Sequence, residues 1–164
     1  MSPGPVVIGF DGTPASERAV RESAGLLAPR PVLVVVVWEA GRAFELATGP
    51  AVGLEMSPAA LDVRTAAELD KAMYEAAQET AQHGAAIAGE AGFQAEALVV
   101  ADELTVADTP VRVAKERDAP AIVLGAHVHA ALAELLLGST THGVLKRASC
   151  PVVVVRDEER PRKG

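Results

Sequence analysis

Residues 32–38 limit the folds available to this chain more than any other stretch. They are seven consecutive apolar residues with no alternation of polar and apolar side chains. Such a run is typical of a strand that is covered on both faces, as happens in sheets with helices on both sides. The stretch therefore predicts an internal strand of a parallel α/β sheet.

Four further apolar stretches alternate with segments of helical composition. The other predicted strands are residues 5–10, 94–101, 121–124 and 151–155, and Gly125 is expected to end the fourth strand. The predicted helices cover residues 14–28 and 65–91, a segment that Thr105 or Asp108 caps and that ends near Arg117, and a segment after Gly138. This order predicts parallel strands joined by right-handed crossovers, in a five-stranded doubly wound sheet with about four helices.

Two helices have features that can be checked individually. Thr13 is predicted to be the N-cap of the first helix, with Pro14 at the first helical position. In the long helix the apolar spacing predicts one buried face. That face comprises Leu69, Met73, Ala76, Thr80, Ile87 and Ala91.

Residues 39–64 contain several glycines and prolines and show no sustained period. A connection of this length without periodicity predicts a flexible flap or an insertion. We expect a single domain over residues 1–156 that includes this flap, followed by a charged tail at 157–164.

The charge balance excludes some classes of partner. The net charge is −7, from 22 acidic and 15 basic residues, whereas nucleic acids and anionic membranes require a basic face. Cys150 is the only cysteine, so no internal disulfide forms, which fits a reducing cytoplasm. With no apolar run as long as a membrane span and no signal-peptide pattern, we expect a cytoplasmic protein without membrane or nucleic-acid partners.

Glycines and hydroxyl residues follow the fourth predicted strand. Gly125 comes directly after it, and Gly138, Ser139 and Thr140 stand at the start of the last predicted helix. Helix starts present free N–H groups and a positive dipole end, so this arrangement predicts an anion site. Because ligands in such sheets bind where the strand order switches, Asp11 and Gly125 should lie side by side.

Simpler interpretations exist for each of these residues. Asp11 could only form a turn, Gly125 and Gly138 could be packing or capping glycines, and Ser139 could be an N-cap. His127 and His129 could ligate zinc, but polar loop residues are the favoured interpretation, and no metal site is predicted. The phosphate-loop, dinucleotide and nucleophile-elbow motifs are missing, so no catalytic residue is predicted.

Three segments together resemble the universal stress protein family. They are Val7-Ile-Gly-Phe-Asp-Gly-Thr-Pro-Ala-Ser16, the stretch from Ile122-Val-Leu-Gly125 to Leu135-Leu-Leu-Gly-Ser139, and Val144-Leu-Lys-Arg-Ala-Ser-Cys-Pro-Val-Val-Val-Val155. The resemblance implies a Rossmann-like sheet of the adenine nucleotide alpha hydrolase type and a homodimer joined along the last strand. It also implies a stress adaptor or sensor, from either an ATP-binding or a non-binding branch.

The binding branch is marked by G-x-x-G, nine residues, then G-[ST]. Gly125, Gly138 and Ser139 match this pattern, but Val128 occupies the second glycine position. The resemblance implies that Asp11 meets the adenosine and Val37 the adenine, that Leu124 and His127 line the pocket, and that Ser139 and Thr140 meet phosphates. The full implied site for ATP with Mg²⁺ is Phe10, Asp11, Val37, Leu124, Gly125, His127, Val128, Gly138, Ser139 and Thr140.

Val128 leaves two functions open. A β-branched residue resists positive φ, so if the loop requires that geometry, valine strains it and makes the ATP site degenerate. The first interpretation is an ATP-binding sensor, the alternative is a dimeric interaction protein that binds no nucleotide, and a weak ATP hydrolase is third. For both the ATP-binding sensor and the interaction protein, the apolar edge from Val152 to Val155 predicts pairing with a second copy of the chain.

Overall fold

The computed structural model describes residues 3–40, 63–102, 105–128 and 138–158. Within these ranges strands and helices alternate along the chain. The strands are β1 (Val6–Gly9), β2 (Pro31–Trp38), β3 (Gln94–Ala101), β4 (Ile122–Val128) and β5 (Val152–Glu158). The helices are α1 (Pro14–Leu27), α2 (Val63–Glu90), α3 (Asp108–Glu116) and α4 (Ser139–Arg147).

The strands form one parallel sheet in the order β3-β2-β1-β4-β5. The chain fills one half of the sheet with β1, β2 and β3 and then crosses to the other half with β4 and β5. The strand order therefore switches between β1 and β4, where Ile8 pairs with Val123. This confirms the predicted five-stranded Rossmann-like fold, and the switch point, where sheets of this class bind ligands, lies beyond the ends of β1 and β4.

The core consists of two layers, one on each face of the sheet. Alternate residues of a strand point to opposite faces, so Ile8 and Val34 pack under α1 and α2, while Val7 and Leu33 pack under α3 and α4. Residues 32–36 of β2 are at most 6% exposed. The uninterrupted apolar run is therefore explained by coverage on both faces, as the sequence predicted.

Strands β4 and β5 are both longer than predicted. Gly125 does not end β4; it pairs with Val155, and the ladder continues to the pair Val128 and Glu158. The expectation that Gly125 ends the strand was wrong. Glycine can continue a strand when the neighbouring strand provides hydrogen-bond partners for its backbone. The first two residues of the predicted charged tail thus belong to β5.

The buried face of α2 differs from the predicted one. Ile87 is buried as expected, but Leu69 is 44% exposed, whereas Ala81 is buried. Gly84 explains the difference, because a Cβ atom there would lie 2.7 Å from Cδ1 of Phe10. Small residues such as Ala81 and Gly84 allow α2 to approach the sheet closely. The buried face of α2 is therefore the one that packs at the shortest distance, not the one with the most large apolar residues.

Helix α2 begins at Val63, just inside the end of the stretch predicted as a flap. Residues 41–62, most of that stretch, lie outside the described residues.

In the ranges that the structure describes, no helix combines the length and apolar character needed to cross a membrane.

Candidate functional site at the strand switch point

A cavity of about 300 Å³ lies beyond the carboxyl ends of β1, β2 and β4. Its walls come from both halves of the sheet and from the starts of α1 and α4. The lining residues in the described ranges are Gly9, Phe10, Asp11, Thr13, Ala15, Ser16, Val35, Val36, Val37, Thr80, Val106, Pro110, Leu124, Gly125, Thr140 and Thr141. The cavity therefore occupies the position where this fold class binds ligands.

The turn between β1 and α1 is held by its own side chains. Oδ1 of Asp11 accepts hydrogen bonds from the backbone N–H of Thr13 at 3.0 Å and from its hydroxyl at 2.6 Å. Gly12 has φ +79°, a conformation that other residues rarely adopt. Oγ1 of Thr13 accepts from the N–H of Ser16 at 3.3 Å, which confirms Thr13 as the N-cap of α1.

Asp11 therefore forms the turn and also lines the cavity. The local interpretation and the ligand-side interpretation of Asp11 are compatible, because the residue that forms the turn also lines the cavity.

Gly125 brings β4 against the first turn of α1. A Cβ atom at this position would lie 2.5 Å from the carbonyl oxygen of Ala15 and 3.0 Å from the N–H nitrogen of Ser16. Backbone atoms cannot move aside as the end of a side chain can, so the closeness of strand and helix requires glycine here. The packing interpretation of Gly125 is thus supported by the structure, independently of any ligand.

Gly138 has no comparable steric requirement. It is the N-cap of α4, with φ −53° and ψ 157°, and a Cβ atom added there would meet no atom within 4 Å. Ser139 is the first helical residue, so its interpretation as the N-cap was wrong. The carbonyl of Gly138 accepts from the N–H of His142 at 3.0 Å, so the N–H groups of residues 139–141 precede the first intrahelical bond.

Thr141 is a site residue that the sequence reasoning did not select. Its side chain is 5% exposed and lines the cavity. A hydroxyl that lines a cavity is positioned to form a hydrogen bond with a ligand oxygen. The signal for Thr141 was present in the sequence as the third hydroxyl of the run after Gly138.

The cavity brings together six of the ten residues that the resemblance implied. They are Phe10, Asp11, Val37, Leu124, Gly125 and Thr140. Gly138 and Ser139 stand at the start of α4 but are not among the lining residues. His127 and Val128 belong to β4, where they pair with Asp157 and Glu158; their side chains lie outside the described residues.

Val128 is not in a strained conformation. It is the last residue of β4, and the non-glycine residue with positive φ in the described ranges is Asp118, at φ 50°. Valine would be strained only at positive φ, and Val128 does not have positive φ in this structure. The backbone at position 128 accommodates a β-branched residue as any strand does.

Asp11 is the charged side chain among the described lining residues, and no lysine or arginine is found in that set. Most of the other lining residues are apolar or bear only a hydroxyl. Within the described ranges, no group of three histidine, cysteine, aspartate or glutamate side chains could hold a metal ion. The described walls thus offer an apolar surface, neutral donors and one carboxylate.

A contact between α1 and α2 lies beside Phe10. Nε2 of His83 is 3.1 Å from Oε1 of Glu17, and its ring centroid is 6.4 Å from that of Phe10. The hydrogen bond from His83 is the main cause that lowers the pKa of Glu17, with a smaller contribution from Arg21. His83 is exposed, and its contact with Glu17 links α1 and α2 beside Phe10, which lines the cavity.

Comparison of the sequence with models of protein families identifies the family of this chain. The model described as the universal stress protein family matches residues 4–156. The chain belongs to this family. No curated protein matches it significantly by sequence.

Solved structures of other universal stress proteins share the fold. The protein from Archaeoglobus fulgidus in complex with dAMP is 23% identical, with 94% of this chain and 98% of that chain covered and a TM-score of 0.59. The family protein from Arabidopsis thaliana with AMP bound is 16% identical, with coverages of 98% and 97% and a TM-score of 0.60. A universal stress protein in complex with cAMP is 20% identical, with coverages of 94% and 98% and a TM-score of 0.58.

Proposed function

We propose that this universal stress protein is a cytoplasmic stress adaptor or sensor that binds an adenine nucleotide in the cavity at the strand switch point. The observation that supports this most is the convergence of Asp11, Gly125 and Thr140 on one cavity, although they are far apart in the sequence. Members of the same family from other sources are described as complexes with dAMP, AMP and cAMP. The family and the cavity support the same class of ligand.

The lining residues suit the parts of such a ligand. Val37 and Leu124 offer apolar surface against which a purine base packs, and Phe10 also lines the cavity. The Asp11 carboxylate accepts hydrogen bonds from the adenosine. Thr140 and the free N–H groups at the start of α4 donate to a phosphate, with Ser139 and Gly138 beside them.

The experiment begins with the ligand that the protein retains. Purified protein is denatured, and the released material is analysed by absorbance and mass spectrometry; an adenine nucleotide is the expected result. Isothermal titration with ATP and Mg²⁺, and separately with AMP, then measures affinity. Phosphate release above that of a heat-inactivated control is not expected.

A matched pair of variants on α4 tests the location of the site. Thr140→Val removes one lining hydroxyl and should weaken nucleotide binding about tenfold to a hundredfold, since a hydrogen bond to a charged group contributes about 1.5–3 kcal/mol. Leu145→Ser alters the same helix at an exposed position outside the cavity and should leave affinity unchanged. Failure of all adenine nucleotides to bind the native protein would reject the proposal.

A dimeric interaction protein that binds no nucleotide is the second candidate, and the surface of β5 favours it. An open groove runs between α1 and β5, lined by Arg18, Glu22, Leu26 and residues 153–156. Leu26 is 75% exposed beside this strand. In the described sheet β5 has a neighbour on one side only, so pairing along Val152 to Val155 with a second copy would cover an apolar edge.

Two measurements distinguish this candidate. Light scattering at micromolar concentration should give a dimer, and Val153→Arg should shift it toward monomer, whereas Leu69→Arg on the exposed face of α2 should not. Val128→Gly restores the motif glycine. If that variant binds ATP and the native protein does not, the interaction function is the better account.

A further inference from the structure

We propose that Arg147 is a positioning residue for the cavity. Through Asp108 and Thr105 it joins α4 to the turn before α3, and the cavity walls carried by these two elements thereby keep their relative position. This role rests on the proposed function and concerns the same site. Arg147 is not among the described residues that line the cavity, so it acts on a ligand through the residues that it holds.

Two neighbouring elements each supply part of the cavity wall. Val106 in the turn before α3 and Pro110 in the first turn of α3 line the cavity, as do Thr140 and Thr141 in the first turn of α4. None of these four residues belongs to a strand of the sheet. The separation of the two walls therefore depends on how α3 and the turn before it pack against α4.

Arg147 forms an ion pair between these elements. Its Nη1 lies 2.7 Å from Oδ1 of Asp108 and donates to Oγ1 of Thr105 at 3.4 Å. Arg147 is the last residue of α4, and Asp108 is the first residue of α3. The pair Lys71 and Glu75, by contrast, joins two residues of one helix. A pair within one helix supports that helix, whereas a pair between two helices also restrains their relative position.

The Asp108 carboxylate also closes the turn that carries Val106. Its Oδ2 accepts from the hydroxyl of Thr105 at 2.6 Å, and the N–H of Asp108 donates to the carbonyl of Thr105 at 3.1 Å. Val106 lies between these two residues in the sequence, so its position is fixed by the carboxylate that Arg147 holds. One guanidinium group thus restrains the cavity wall formed by the turn.

Gly143 brings α4 into close contact with the same turn. A Cβ atom at this position would lie 2.7 Å from Cβ of Ala107 and 3.8 Å from Nη1 of Arg147. Ala107 is buried, so the contact beside the ion pair is closely packed. A change in the ion pair is therefore expected to reach the turn directly, because no space between the two elements absorbs it.

Binding of adenosine and AMP to two charge-removing variants tests this role. Arg147→Gln should weaken binding of both ligands about fivefold, the factor that corresponds to about 1 kcal/mol for a partly exposed ion pair. Lys146→Gln removes the same charge from the neighbouring exposed residue and should leave both affinities unchanged. Adenosine carries no charge, so equal losses for the two ligands indicate positioning. A loss for AMP alone would indicate direct attraction of the phosphate and would overturn the proposed role.

A double-mutant cycle tests whether Arg147 acts through Asp108. Asp108→Asn should weaken adenosine binding by a similar factor, and the double variant should bind no more weakly than either single variant, because both changes remove one contact. Losses that simply multiply in the double variant would contradict this connection.

Hydrogen exchange of the amides at residues 106–108 provides a readout that needs no ligand. It should be about fivefold faster in Arg147→Gln than in the native protein or Lys146→Gln, since it reports opening of the turn. If the native protein binds adenosine and Arg147→Gln binds it equally well, the role of Arg147 is rejected and the proposed function stands. If the native protein binds no adenine compound, the proposed function is rejected, and unchanged exchange in Arg147→Gln would separately reject the restraint on the turn.

Discussion

Gly84 gives the sharpest test of how α2 is positioned on the sheet. A Cβ atom at this position would lie 2.7 Å from Cδ1 and 2.9 Å from Cε1 of Phe10, and 2.8 Å from Cγ1 of Val34. Phe10 is 4% and Val34 0% exposed, so neither side chain has free space to enter. Gly89, in the same helix, would place its Cβ atom in open space.

Substitution of these glycines by alanine can change the free energy of unfolding in two ways. Replacing glycine by alanine inside a helix stabilises it by about 0.8–1 kcal/mol, and this gain is common to both positions. Adding a methyl group to a packed core destabilises by about 1–3 kcal/mol, and this applies to Gly84 alone. We therefore expect Gly89→Ala to be stabilising and Gly84→Ala to be neutral or destabilising, with a difference of about 1–3 kcal/mol between them.

Urea and thermal unfolding of the two variants measure this difference directly. For a chain of this size 1 kcal/mol corresponds to about 2–4 °C in Tm, so the two melting temperatures should differ by at least about 2 °C. Because Phe10 lines the cavity, Gly84→Ala should also weaken adenine-nucleotide binding, and Gly89→Ala should not. Equal stabilisation by both variants would refute the close packing of α2 on Phe10.

Three further outcomes follow from contacts near the cavity. Gly125→Ala should destabilise the fold by about 2–3 kcal/mol in urea unfolding, since its Cβ would meet the backbone of Ala15 at 2.5 Å; a loss under 0.5 kcal/mol would contradict this. Thr13→Ala should cost about 1 kcal/mol through the lost N-cap; unchanged stability would show that the cap is dispensable. His83→Ala should raise the pKa of Glu17 toward its usual value in an NMR titration, and an unchanged pKa would show that His83 is not the cause. Because that pKa is lowered on folding, the contact stabilises the native protein above the unfolded-state pKa and is lost as pH falls through the folded pKa, a loss that the variant should lack.

Features with a local cause were predictable from the sequence. The strand at residues 32–38 was evident because a covered strand needs apolar residues on both faces, and the Thr13 cap because its partner, Ser16, is three residues away. The adjacency of Asp11 and Gly125 followed from the topology of the fold class.

Features that depend on tertiary packing were not predictable in the same way. The extension of β4 past Gly125 requires its neighbour β5, and the buried face of α2 depends on how closely Gly84 approaches Phe10. Thr80 and Val106 line the cavity only because α2 and the turn before α3 fold over the sheet, and no local pattern marks either residue as part of a site.

Strand β1 is four residues long and lies between β2 and β4, with both faces of the sheet covered. Val6, Val7 and Ile8 are 0% exposed. Their amide protons should therefore exchange with deuterated solvent only through global unfolding, later than those of any peripheral element. The turn at Asp11 follows this strand directly, so we expect the cavity wall that it forms to open less often than the outer helices do.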